Sequence, residues 1–185
     1  MKTINLILLL TIYQTILPIY AVSKSTDTTT IRIVGDRMYP PYEFLDNNNN
    51  PTGFVVDLVK AVMDDMGHKY TLELCHFTDA VEAIRNGQAD ILTGLCYSEL
   101  RDKDFSFTLP HSYVYPSVIC RKNSTIRNLS ALDGRNIVLQ KGEIMEELLK
   151  KHKSTALIHT FNNMEEALRL VNSGKYDAAL CGNNP

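Results

Sequence analysis

No stretch of this sequence concentrates charge of one sign. Nineteen Lys and Arg stand against 21 Asp and Glu, for a formal net charge of −2. There is no basic run and no basic patch interleaved with aromatic residues, so nucleic acid is not an expected partner. None of the four cysteines, Cys75, Cys96, Cys120 and Cys181, sits in a CxxC pair, which removes the usual redox motif and zinc site. Cys75-His76 is too short to bind a metal by itself, and the five histidines are scattered. No recognisable catalytic constellation occurs, and nothing requires a cofactor. Nor does any run reach the ~20 consecutive apolar residues that span a bilayer.

What is present begins with the N-terminus. Met1-Lys2 precedes the apolar stretch Ile4–Ile12, which Gln14 and Pro18 interrupt before the small residues Ala21 and Ser23. A positive end, an apolar core and small residues are the order of a secretory signal, so residues 1–23 are expected to be a cleaved signal peptide. An uncleaved anchor is the alternative. No cysteine follows the apolar core to take a lipid. Export permits disulfides, and four cysteines allow three pairings. The competing expectation is that most are small apolar residues at strand ends.

The remaining chain has the composition of a soluble protein, 44% hydrophobic and 22% charged, and can bury a real core. After a polar leader at 24–30, strand patterns and helix patterns alternate. Strands are expected at 31–35, 70–75, 89–95, 113–121, 136–141, 156–161 and 176–181. Between them lie helices at 54–66, from Thr78 to Asn86, at 143–152 and at 164–172. The segment from Asp36 to Thr52 reads as a loop with an exposed hairpin tip at Asn47–Asn50. Alternation of this kind builds parallel sheets from βαβ units. The stretch Ala80–Leu92 also echoes Glu166–Ala179: each is a helix, a capping glycine, then an Asp entering a buried strand.

Several segments in order resemble the family-3 extracellular solute-binding proteins, the polar amino-acid-binding type of periplasmic binding protein. They are Gly35-Asp36-Arg37-Met38-Tyr39-Pro40-Pro41-Tyr42-Glu43-Phe44, Gly53–Leu58, Gly87–Ile91, Arg101, Phe105–Thr108, Leu129–Ile137 and Lys141–Met145. The likeness runs from about residue 31 to 182. Tyr97–Lys103 and Gly142–Met145 look closest to the Venus-flytrap sensing domains of bacterial sensor histidine kinases. The resemblance implies an α/β, type II periplasmic-binding-protein-like fold with two lobes and mostly parallel sheets. Lobe one would take residues 31–112, lobe two residues 113–182, and residues 183–185 would begin a return crossing. By the family's pattern, lobe one would then be incomplete at the C-terminus.

Ligands of open α/β sheets bind outside the carboxyl ends of strands. Asp36, Tyr39, Tyr42, Thr93, Gly94 and Cys96 follow such ends in lobe one, with Arg101 a few residues on. The resemblance assigns Arg101 a bidentate grip on a ligand carboxylate, which its planar fork suits. A solvated loop arginine beside Glu99, Asp102 and Asp104 is the alternative. Tyr39 and Tyr42 would form an apolar wall with polar tips, or simply pack. Lobe two would add Gly142 and Glu143 at a helix start, where backbone N–H groups favour an anionic group. Asn183 completes the candidate set.

The family usually places an acid just after the last lobe-two strand, to hold a ligand ammonium. Gly182 stands there, followed by Asn183, so a standard α-amino acid is in doubt. The expected function is clamping a small carboxylate-bearing, amino-acid-like solute, with a downstream sensor kinase module or a membrane permease as partner and the periplasm as its place. Two alternatives stay open: a truncated, non-functional remnant, and a periplasmic dehydratase-like enzyme that recruits Glu143 or His111.

Overall fold

A computed structural model describes residues 29–162 and 164–183, and of Asn183 the backbone alone. The expected signal peptide and the last two residues of the expected return crossing lie outside the described residues.

The chain forms two α/β sheets and one small antiparallel sheet. Strand β1 (Ile31–Asp36) sits centrally between β5 (Tyr70–Cys75) and β6 (Ile91–Leu92), parallel to both. Helix α1 (Phe54–Met66) and helix α2 (Phe77–Arg85) connect them. Burial of Ile33 and Leu74 on the strands, with Val55, Val56, Met63 and Ala80 on the helices, makes this core. Gly67 ends α1 in the left-handed region at φ 69°, with its N–H on the Asp64 carbonyl. Only glycine adopts that conformation without cost. Gly67→Ala should cost about 1 kcal/mol by chemical unfolding, and no change would mean that the turn relaxes freely.

The second sheet runs β7-β10-β8-β9, from β7 (Tyr115–Cys120), β8 (Asn136–Gln140), β9 (Leu157–Phe161) and β10 (Ala178–Asn183). All pairs are parallel except β7 with β10. Helix α3 (Ile144–Lys151) packs on one face and helix α4 (Met164–Asn172) on the other. The period of two along β8 explains why. Ile137 and Leu139 join Met145 and Leu149 of α3, while Val138 joins Ala167 and Val171 of α4. A strand covered on both faces reads as a continuous apolar run, as Ile137-Val138-Leu139 does.

The internal echo is a structural repeat. Asp90 accepts the Arg32 backbone N–H at 2.9 Å and returns its own N–H to the Arg32 carbonyl. Asp177 does the same with Asn136 at 2.9 Å. Each Asp thus locks the start of a strand to a neighbouring interior strand of its sheet.

Three local differences have simple causes. Helix α2 starts one residue before Thr78, with His76 rather than Thr78 at its N-cap. Only Ile91–Leu92 of the expected 89–95 strand pairs, because Gly94 turns at φ 67°. The loop after β1 contains the small sheet β2 (Met38–Tyr39), β3 (Glu43–Leu45) and β4 (Pro51–Thr52), with the exposed 47–50 hairpin tip between β3 and β4. Among the described residues no helix is long and apolar enough to cross a membrane.

Candidate functional site

Carboxyl ends of β1, β6 and β8 point at one another across the junction of the two sheets. Between them lies a cleft of about 380 Å³, including its open mouth, lined by Asp36, Tyr39, Glu43, Phe77, Gly94, Cys96, Arg101, Gln140, Glu143 and Ile144. Six residues expected from sequence line it directly: Asp36, Tyr39, Gly94, Cys96, Arg101 and Glu143. Tyr42 packs its ring against Tyr39, centroids 5.3 Å apart. Thr93 lies beneath the wall and Gly142 lends its carbonyl to Arg101. Asn183 ends β10 opposite Tyr115, and its side chain is outside the described residues.

Arg101 starts a short 3-10 turn (Arg101–Lys103) and is only 9% exposed. Its Nε donates to Glu147 Oε1 at 2.7 Å, Nη2 to the Gly142 carbonyl at 3.0 Å and Nη1 to the Cys96 carbonyl at 3.3 Å. Glu147 Oε2 also accepts the Ser98 hydroxyl at 2.7 Å. Burial pushes the Glu147 carboxyl up, but the hydrogen bonds from Ser98 and Arg101 outweigh it and hold the group below its ordinary value. A second clasp is buried deeper, where Gln140 Nε2 donates to Asp36 Oδ2 at 2.6 Å. Both clasps join one sheet to the other.

Glu43 forms the floor, 1% exposed. One carboxylate oxygen accepts the Asp36 N–H at 3.1 Å and the other meets the Thr93 hydroxyl. Gly35 and Gly94 leave the space it fills, since a Cβ at either would collide with the Glu43 carboxylate. Burial pushes its carboxyl up to about 7. Burial also raises Asp36, against the hydrogen bond from Gln140. Glu143, the N-cap residue of α3, is likewise pushed up to about 7 by burial, opposed by the Gly182 N–H on its Oε1 at 3.1 Å. Its Oε2 is enclosed and has no hydrogen-bond partner among the described residues.

Glu43, Gln140 and Glu147 were not anticipated from sequence. Gln140 had a signal: a polar residue ending the apolar run Ile137–Leu139 at a strand's carboxyl end. Glu147 lies four residues after Glu143, on the same face of α3. Glu43 lies inside the family-like segment Gly35–Phe44, but its three-residue strand is too short to show a pattern that would single it out. All four cysteines are free thiols. Burial raises that of Cys96 in the cleft wall and that of Cys181 on β10. Among the described residues no group of three or more His, Cys, Asp or Glu could hold a metal ion.

Two sheets of alternating strands and helices, facing each other over a polar cleft and clasped across it, define a bilobed binding protein. Comparison with known proteins agrees. Residues 31–181 match the bacterial extracellular solute-binding proteins, family 3, and the chain belongs to that family. A solved histidine kinase sensor domain with similarity to periplasmic binding proteins superposes with a TM-score of 0.79 at 34% identity, covering 83% of this chain and 68% of that one. An ancestral arginine-binding protein bound to glutamine superposes with a TM-score of 0.74 at 29% identity, over 83% of this chain and 69% of that one. The arginine-binding extracellular protein ArtP of Bacillus subtilis (strain 168) is 26% identical over 148 residues, which is 77% of this chain and 56% of ArtP. The chain thus spans little more than half the length of that relative. The fold is the expected periplasmic-binding-protein-like one.

Proposed function

We propose that this chain is an extracytoplasmic binding module that clamps a small amino-acid-like solute between lobe one (31–112) and lobe two (113–182). The observation that carries the reading is the pairing of a cation and an acid at one cleft from opposite lobes: Arg101 on one wall and Glu143 on the other. A zwitterionic solute supplies the complement of both. Its carboxylate would compete with Glu147 for the Arg101 fork, and Tyr39 and Phe77 would cover its carbon skeleton. Arginine and glutamine in the names of similar proteins support an amino acid as cargo. Closure would be passed to a sensor kinase module or to a permease, and the likeness to a kinase sensor domain favours the first.

A thermal-shift screen of the chain against the twenty amino acids tests this. At least one, with arginine and glutamine the first choices, should raise the midpoint. The gain at a concentration 100 times Kd is about 2.7 kcal/mol. No shift with any of them at millimolar concentration would overturn the reading.

A further inference from the structure

We propose that Glu143 Oε2 is the docking point for a protonated nitrogen of the solute. This rests on the cleft's being a solute site and adds which end of the solute goes where. A carboxylate oxygen enclosed without a donor is costly, and the cost is removed when a donor arrives. Glu143 Oε1 is already held by the Gly182 N–H, which fixes the carboxylate plane and leaves Oε2 as the unsatisfied atom. Arg101, the cleft's one cation, does not supply the donor, since its contacts are Glu147 and the carbonyls of Cys96 and Gly142.

Of the charged groups around Glu143, Arg101 favours its ionised form and Asp36 opposes it, while Tyr39 from β2, Cys96 from the loop after β6 and Cys181 from β10 bring no positive charge, and none of these groups hydrogen-bonds to Oε2. Arg101 is the one cation of the lining, and its hydrogen bonds to Glu147 and two carbonyls leave Glu143 Oε2 without a charged donor. Strand β10 cannot present its own acid here. A Cβ at Gly182 would run into Val114 and come within 3.1 Å of the Tyr39 hydroxyl. Val114 and the Tyr39 hydroxyl already fill that space, and the acid comes instead from α3, where Glu143 Oε1 accepts the Gly182 N–H at 3.1 Å. Burial lifts the Glu143 carboxyl to about 7, so near that pH the group is half protonated, and a cationic solute binds its ionised form.

Calorimetric titration at pH 8 tests the assignment, using wild type, Glu143→Gln and Glu143→Asp with the amino acid that stabilises the wild type best. Loss of at least 100-fold in affinity for Glu143→Gln, partial recovery in Glu143→Asp, and wild-type affinity that rises between pH 5.5 and 8 are the expected results. Equal affinity of wild type and Glu143→Gln, in a folded variant, would overturn the assignment and leave the clamp intact. If no amino acid binds the wild type, the clamp reading fails, and ethylammonium chloride against sodium chloride at equal ionic strength decides for Glu143. A midpoint rise in wild type that Glu143→Gln lacks upholds the docking point, and identical responses reject it. Should Glu143→Gln not fold, Glu143→Asp alone carries the comparison, and unchanged affinity in it would count against the proposal.

Discussion

Arg101→Met should cost about 3 kcal/mol of stability and release one lobe from the other. The arginine is almost enclosed, and its partner Glu147 is a quarter exposed, so the pair sits between a surface bridge and a fully buried one. Removing one member of a buried pair leaves an uncompensated charge, for which losses of about 3–5 kcal/mol are usual; partial exposure of Glu147 argues for the lower end. The same change strips a donor from the Gly142 and Cys96 carbonyls. Urea unfolding followed by tyrosine fluorescence measures the loss. A double-mutant cycle with Glu147→Gln should return a coupling of about 1–3 kcal/mol. Small-angle scattering should show a wider molecule. A loss under about 1 kcal/mol would mean that Asp36–Gln140 alone holds the sheets together.

The Glu43 carboxyl alone should remove roughly 3 kcal/mol of stability as pH rises from 5 to 8, the reverse of ordinary carboxylate behaviour. Glu43 titrates at about 7 in the fold, against 4.5 for the free side chain. Between those values the native state holds a proton that the unfolded chain has released, so stability is complete below 4.5 and is lost as pH climbs through 7. The rise from 4.5 to about 7, at about 1.4 kcal/mol for each pH unit, corresponds to roughly 3 kcal/mol. Glu143 is raised in the same window and adds to the slope, and Asp36 is raised as well. Glu147, held low, works the other way and destabilises only as pH falls into the carboxylate range. Glu43→Gln keeps an acceptor for the Asp36 N–H and a donor for Thr93. It should match wild type at pH 5 and exceed it at pH 8, with a flatter midpoint-versus-pH curve. A wild-type curve that rises from pH 5 to 8 would refute the assignment of Glu43 as a protonated floor.

Much of the fold was legible because the elements that build it are long enough to show a period. Helix α1 carries its apolar spacing over thirteen residues and stops at a glycine that is left-handed in the structure. Strand β8 announces burial on both faces through three consecutive branched or long apolar residues. The repeated helix–glycine–Asp unit was visible, and its hydrogen bonds supply the reason for it. The small β2-β3-β4 sheet was not visible, since strands of two or three residues carry no readable alternation. The floor residue Glu43 was hidden for the same reason.

The sequence by itself determined the order of the longer strands and helices, the parallel βαβ wiring, the family, and six residues on the wall of the cleft. Those features depend on local spacing and on which end of a strand a residue follows. Only the tertiary structure decided what Arg101 touches, that Gln140 meets Asp36 across 104 positions of chain, and that Glu143 stands beside Gly182 with an oxygen left over. The reason is physical. Contacts between lobes join residues far apart in sequence, and the pKa of a carboxyl depends on the solvent and donors removed from it by packing, neither of which leaves a trace in local order.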